Sequence, residues 1–207
     1  MELYETIAKR RTVRDFEDRP IDMEIVKRIL SAGLKAPTNN HLRQWEFVLV
    51  NDKKERSRVL KLQDMTGYDE CEKMMDGFSM TDPDQRGMYH IAMPKQFSML
   101  YRSGCLILPF FKLREPLLQP GSLSALNDFA SMWCCIENIL LAAASEGIQG
   151  VTRIPMDEEL EHIRKTINHP DDYAMPCYVA LGYPDKDAKL PVQKEIDVES
   201  RIHIGQW

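Results

Sequence analysis

With only 10 glycines in 207 residues, the chain contains no Gly-x-Gly-x-x-Gly pattern. It therefore lacks a Rossmann phosphate loop, and any nicotinamide would have to visit transiently rather than own a site. Its five cysteines, Cys71, Cys105, Cys134, Cys135 and Cys177, are odd in number and have no metal-ligand spacing. No metal site is expected from them, and the setting they suggest is a reducing cytoplasm. The adjacent Cys134 and Cys135 read as buried small hydrophobes. Basic excess is also missing: the net charge is −5, which argues against a general nucleic-acid binder. No apolar run approaches the roughly 20 residues needed to cross a bilayer. The opening Met-Glu-Leu-Tyr-Glu lacks the basic start and apolar core of a secretion signal. Repeats, low-complexity tracts and linkers are absent too, so one domain over residues 1–207 is expected.

What is present reads in chain order as alternating helices and strands. Residues 3–9 suggest a short helix. Asp22 caps a second, with Ile25, Ile29, Leu30 and Leu34 on one face, which stops before Ala36-Pro37. A loop of turn formers over 37–41 leads to a strand at 45–50, and residues 53–63 look helical. Residues 64–95 have no clear periodicity; they read as an excursion or lid of poorly specified helices, or as a plain connection. Cys105-Leu106-Ile107-Leu108-Pro109-Phe110-Phe111 has the continuous apolar character of a central strand buried on both faces, in which Pro109 is awkward. Residues 122–146 predict a long helix, apolar nearly all round and stopped by Gly147, which points to a subunit interface as well as a core. A short strand and turn follow over 147–155, a charged amphipathic helix over 157–167, and a strand over 174–183. The tail 185–207 is polar but ends with Ile202, Ile204 and Trp207, so burial against a partner subunit is expected for it.

Near the N-terminus, Lys9-Arg10-Arg11-Thr12-Val13-Arg14 concentrates four cations and a hydroxyl in six residues. Arginine forks and a threonine hydroxyl match phosphate oxygens. An extended backbone at Val13 would send Thr12 and Arg14 to the same side. The other reading is a solvated basic patch opposing the negative end of a helix dipole.

These pieces in this order resemble the FMN-dependent nitroreductase family. Arg10-Arg11-Thr12-Val13-Arg14 is similar to its Arg-Arg-Ser-Val-Arg motif. Ala36-Pro37-Thr38-Asn39-Asn40-His41 followed by Trp45-Glu46-Phe47 is similar to its Ala-Pro-Ser…Trp-x-Phe segment, although Arg43 and Gln44 stand where Gln-Pro is usual. The helix ending Ala-Ala-Ala-Ser-Glu-Gly147-Ile148 resembles its central helix, and Gly182-Tyr183-Pro184 with Lys194 and Trp207 resembles its C-terminal end. The resemblance implies an α+β, three-layer fold with a central, mostly antiparallel sheet flanked by helices, assembled as an intertwined homodimer. It implies FMN held by Arg10, Arg11, Thr12 and Arg14, with Lys194 as a further cation at the phosphate. Pro37, Thr38 and Asn39 would meet the flavin of the other subunit, and the turn Thr152-Arg153-Ile154 would pass beside the ring and offer a donor to N5.

Flavin chemistry asks little of side chains, which agrees with the absence of a Ser/His/Asp set or paired carboxylates. No catalytic side chain is assigned: His41 sits in a turn, and the resemblance implies a flavin or backbone contact for it rather than a general base. The other histidines (His90, His162, His169 and His203) are scattered. The expected activity is hydride uptake from NADH or NADPH and reduction of a nitro, quinone or similar small-molecule acceptor by a ping-pong route. A reductive dehalogenase, or a flavin-binding sensor without efficient turnover, are the alternatives. Truncation after Asp197 should lose dimerisation and flavin together; a truncated chain that light scattering shows to be dimeric and that keeps its flavin would separate the tail from both.

Overall fold

A computed structural model describes residues 2–207. Its order is α1 (Leu3–Lys9), α2 (Met23–Gly33), β1 (Trp45–Leu49), α3 (Lys53–Val59), α4 (Tyr68–Gly77), α5 (Pro83–Ala92), α6 (Ser98–Arg102), β2 (Cys105–Lys112), α7 (Asn127–Ser145), β3 (Gln149–Arg153), α8 (Asp157–Ile167), β4 (Tyr173–Ala174) and β5 (Tyr178–Gly182). The sheet runs β1-β2-β5-β3 with every pair antiparallel, and β4 also pairs with β2. Helices cover both faces, as the three-layer expectation requires.

The strand β2 explains this arrangement. Its odd-numbered Cys105, Ile107 and Phe111 join Val179 and Leu181 of β5 beneath α2 and α7. Its even-numbered Leu106, Leu108 and Phe110 join Tyr178 and Ala180 beneath α3, α6 and α8. Successive side chains point to opposite faces, so a strand apolar at every position must be covered twice. Each fully buried Leu or Ile contributes about 1.5–3 kcal/mol relative to exposure.

Pro109 turns out to be well placed. Val50 N–H donates to Leu106 O (2.8 Å) and Lys112 N–H to Gln44 O (3.1 Å), so the even residues of β2 bond to the β1 side. The nitrogen of Pro109 faces the other side, between the last β5 pair, Ile107 with Val179, and the first β4 pair, Phe111 with Ala174. Three residues of β2 there, 108–110, oppose four on the facing chain, 175–178, so the ladder is already interrupted and no donor is lost. Pro176 lies in the same gap and splits the strand expected over 174–183 into β4 and β5.

Three other expectations are corrected. Residues 64–95 carry two defined ten-residue helices, α4 and α5. Asp82 caps α5 by accepting from Gln85 N–H (2.8 Å), and Pro83 opens its first turn. The periodicity was weak because only Cys71, Met75 and Ala92 of the pair are buried. The helix expected over 122–146 starts at Asn127, after a 3₁₀ turn at Leu123–Leu126. It buries Met132, Cys135, Ile136, Ile139 and Ala143, while Cys134 and Glu137 are exposed in the single chain. Contact with α2 is close enough that a Cβ on Gly33 would lie 2.6 Å from Ile139 Cγ1. The first helix after β1 ends at Val59 rather than at 63.

One buried cation locks the loops at this end of the sheet. Arg56 of α3 donates from Nε to Val50 O (2.6 Å) and from Nη1 to Tyr101 O (2.8 Å) and Ser103 O (2.5 Å). Burial pulls its pKa down from the ordinary guanidinium value. Replacing Arg56 with Leu leaves those three carbonyls without their donor and should cost about 2–4 kcal/mol. Denaturant unfolding measures it, and an unchanged midpoint would deny Arg56 this role.

Candidate functional site

The basic segment runs along the sheet edge, with Thr12 and Val13 against β3 and Phe16 and Glu17 against Tyr183 and Pro184 just past β5. Val13 N–H donates to Gly150 O (3.1 Å), and Thr12 and Gly150 form an isolated parallel bridge. Gln149 ties in the approach: its Oε1 accepts from Arg11 N–H (2.9 Å) and its Nε2 donates to Lys9 O (3.2 Å). The segment is held closely, since a Cβ on Gly182 would meet the Phe16 ring at 2.6 Å. Val13 and Phe16 enter the core, and Thr12 and Arg14 stay half-buried.

The cations of this segment are used differently. Arg11 folds back to donate to the carbonyls of Ala8 and Arg10 at the end of α1, as a cation near a helix C-terminus does. Arg10 Nε is 3.6 Å from Glu137 Oε1 of α7. Arg14 is different. Among the described residues no carboxylate lies within ion-pair distance of it, because neighbouring Asp15 takes Lys95 at 2.5 Å instead. Burial lowers the pKa of Arg14, with Tyr89 of α5 and Asp15 acting weakly the other way. It borders a polar cavity of about 200 Å³ with Lys95, Ser98, Arg102 and Asp185.

The 37–41 loop sits elsewhere. Asn39 N–H donates to Ser131 Oγ (3.0 Å) and Asn39 Nδ2 to Asp128 Oδ1 (3.2 Å), which docks the loop on the first turns of α7. Thr38 Oγ1 accepts from Arg43 N–H at 3.4 Å. Asn40, His41 and Arg43 adopt left-handed backbone (φ 50°, 58° and 47°); Pro37 and His41 face solvent. Asp128 and Glu137 are separated by about 14 Å along α7 at the usual rise per residue. A single chain therefore keeps the basic segment and this loop at different stations on one helix and does not bring them together.

Near the end of β3 Thr152 is half-buried, and in the turn that follows Ile154 is 61% exposed. Arg153 points inward instead of towards an open site. Its Nη1 and Nη2 donate to the Glu159 oxygens (2.7 and 2.9 Å) and its Nε to Gln96 Oε1 (2.8 Å). Glu159 also accepts from Met156 N–H (2.9 Å) and from the Tyr178 hydroxyl (3.3 Å). Burial and the Glu159 carboxylate push the tyrosine pKa up. Glu159 was legible as the third residue of α8, where an acid caps the helix; nothing in the sequence pattern singles out Gln96. Lys194 lies away from Arg14. It pairs with Asp84 (2.8 Å) and Asp82 (3.2 Å) at the start of α5, which raises its pKa.

Among the described residues no cluster of His, Cys, Asp or Glu could hold a metal, and no helix is long and apolar enough to cross a membrane. Burial pushes the thiols of Cys105, Cys135 and Cys177 up to about 12.

Comparison with known proteins bears on this geometry. Residues 7–183 match the model of the nitroreductase family. An iodotyrosine deiodinase of Nematostella vectensis is 26% identical over 92% of this chain and 70% of its own length. A Methanothermobacter thermautotrophicus protein, provisionally named NADH dehydrogenase/NAD(P)H nitroreductase, is 25% identical over 100% of this chain and 88% of its own. Among solved structures, an oxidised iodotyrosine deiodinase bound to FMN and 3-iodo-L-tyrosine superimposes with a TM-score of 0.71 at 21% identity, covering 100% of both chains.

Thiol labelling reads out the face of α7 that carries Cys134. In an isolated subunit at mildly alkaline pH, Cys134 should react first, while Cys105, Cys135 and Cys177 wait for unfolding because thiolate is the reactive form. Peptide mapping after brief labelling checks this; early modification of Cys135 would contradict the packing of α7.

Proposed function

The chain belongs to the nitroreductase family, and on that footing we propose that it is a homodimeric FMN oxidoreductase. In this reading it accepts hydride from NADH or NADPH and reduces a nitro, quinone or related small-molecule acceptor. When bound, FMN supplies the redox chemistry, accepting and releasing hydride or single electrons. The observation that carries the reading is Arg14: a half-buried guanidinium with no carboxylate within ion-pair distance, on a polar cavity that it shares with Lys95, Ser98 and Arg102. A desolvated cation left unpaired is destabilising unless an anion completes it, and a phosphate monoester or the electron-rich edge of a flavin would do so.

Placement supports the following roles. Arg10, Thr12 and Arg14 bind and neutralise; Arg11 stays with the end of α1 and contributes mainly field. Lys194 would join them by leaving Asp82 and Asp84, both on the surface where such pairs are weak. Thr152 and Ile154 border the ring, with Arg153 holding the turn from behind. Pro37, Thr38, Asn39 and His41 would approach from the second subunit, since one chain separates them from the basic segment along α7. The dimer is supported by apolar surface left open in the single chain, including Leu118 at 88% and Trp207 at 100% exposure. The tail 185–207 would cross to the partner. A reductive dehalogenase is the second reading, supported by the deiodinases among the relatives, with α4 and α5 as the cover over the acceptor.

The test is to denature the purified protein and identify what is released, then bleach the native protein with NADH or NADPH anaerobically. One FMN per subunit and bleaching of its visible absorption on reduction are expected. Arg14→Ala should weaken FMN binding by roughly 1.5–3 kcal/mol. Release of FAD, or no uptake of added FMN, would defeat the proposal.

A further inference from the structure

The excursion from 64 to 97 and the turn after β3 are far apart in sequence but share one continuous run of buried polar contacts. Gln96 lies four residues past the end of α5, and the two polar atoms of its side-chain amide face different partners. Its Nε2 donates to Ala92 O (2.9 Å) at the last turn of α5, and its Oε1 accepts from Arg153 Nε (2.8 Å). The rest of the Arg153 fork goes to Glu159 in a two-pronged pair at 2.7 and 2.9 Å, with side chains only 12% and 6% exposed. Glu159 then closes on Met156 N–H at 2.9 Å, inside the turn itself. The exit of the excursion is fixed just beyond: Asp64 Oδ1 accepts from Phe97 N–H (2.7 Å) and Ser98 N–H (3.2 Å).

We propose that Gln96, acting through Arg153 and Glu159, is a positioning residue that fixes the α4–α5 excursion against the 152–156 turn. Every donor nitrogen of Arg153 has a partner, and both oxygens of Glu159 are occupied. A buried pair satisfied in this way has one favourable arrangement rather than several. The turn is therefore not free to relax independently of the excursion. The two bracket the site proposed above: α5 carries Tyr89 beside Arg14, and the turn carries Thr152 and Ile154. This role rests on that reading for its catalytic meaning, because a fixed separation between excursion and turn sets the width of the space left for an acceptor. Rigid placement of a binding wall is felt in KM before kcat when contacts in the ground and transition states weaken equally.

Hydrogen exchange on the full chain, with and without added FMN, tests it using Gln96→Met and Gln96→Glu. Methionine keeps the length of the side chain and removes both polar groups. Glutamate keeps the acceptor for Arg153, loses the donor to Ala92 and adds a negative charge on the Arg153 side, where the guanidinium can take it. Gln96→Met should speed exchange at the Met156 amide and at Phe97 and Ser98 together, on the order of tenfold. Gln96→Glu should leave Met156 at the wild-type rate. In FMN-loaded protein, Gln96→Met should raise KM for the acceptor severalfold with kcat nearly unchanged. Faster exchange at Phe97 and Ser98 alone, or equal behaviour of the two variants at Met156, would overturn the proposal. Because exchange is read on the polypeptide, failure to bind FMN would defeat the functional reading while leaving this result interpretable.

Discussion

Coverage of β2 on both faces is the constraint from which the rest of the molecule follows. A strand without a polar side needs two layers of helix. The chain supplies α2 and α7 on one face and α3, α6 and α8 on the other, with β5 repeating the same alternation one strand away. Once those layers are in place, the outer edge of β3 receives Thr12 and Val13, and the chain just past β5 receives Phe16. The basic segment is thus positioned by hydrophobic burial at Val13 and Phe16, and its charges are consequences of where the backbone has been pinned.

Electrostatics then differentiates residues that look alike in sequence. Arg10, Arg11 and Arg14 are close neighbours, yet one reaches a carboxylate on α7, one returns to its own helix and one is left half-desolvated without a pair. Arg153 shows the opposite outcome. A cation in a turn beside a candidate site reads naturally as a ligand contact, but Glu159 captures it from below and makes it part of the wall. An arginine buried with a bidentate acid is a fixed structural part; an arginine buried without one is a demand for an anion.

Much of this was legible in the sequence because the signals were strong and local. The apolar run of β2, the Asp22 cap, the Pro37 stop and the charged periodicity of α8 each follow from short-range chemistry, and the order of motifs pointed to the family. What stayed hidden depended on partners distant in sequence. The helices α4 and α5 bury too few residues to leave a clear period. Pro176 breaks a strand whose alternation continues across the break. Cys134 shares the apolar run of Cys135 but falls on the uncovered side of α7. The separation of the 37–41 loop from Arg14 within one chain is a matter of tertiary placement along a helix, which no motif spacing records.

The connectivity of β2 also has a kinetic meaning. The partners in its two longest ladders come from far along the chain: Phe47 pairs with Pro109, 62 residues away, and Ile107 with Val179, 72 residues away. Both contacts close long loops before any hydrophobic reward is collected, which is the pattern of slow-folding domains. Lengthening such a loop is thermodynamically mild, about 0.6 kcal/mol per doubling, so the α4–α5 hairpin between β1 and β2 adds little strain to the finished protein. It acts instead during the search, when the most apolar strand in the chain waits uncovered for neighbours not yet in place. Such a strand is the one most exposed to pairing with another chain. A molecule organised around a strand buried on both faces is therefore most vulnerable to aggregation while it is being made.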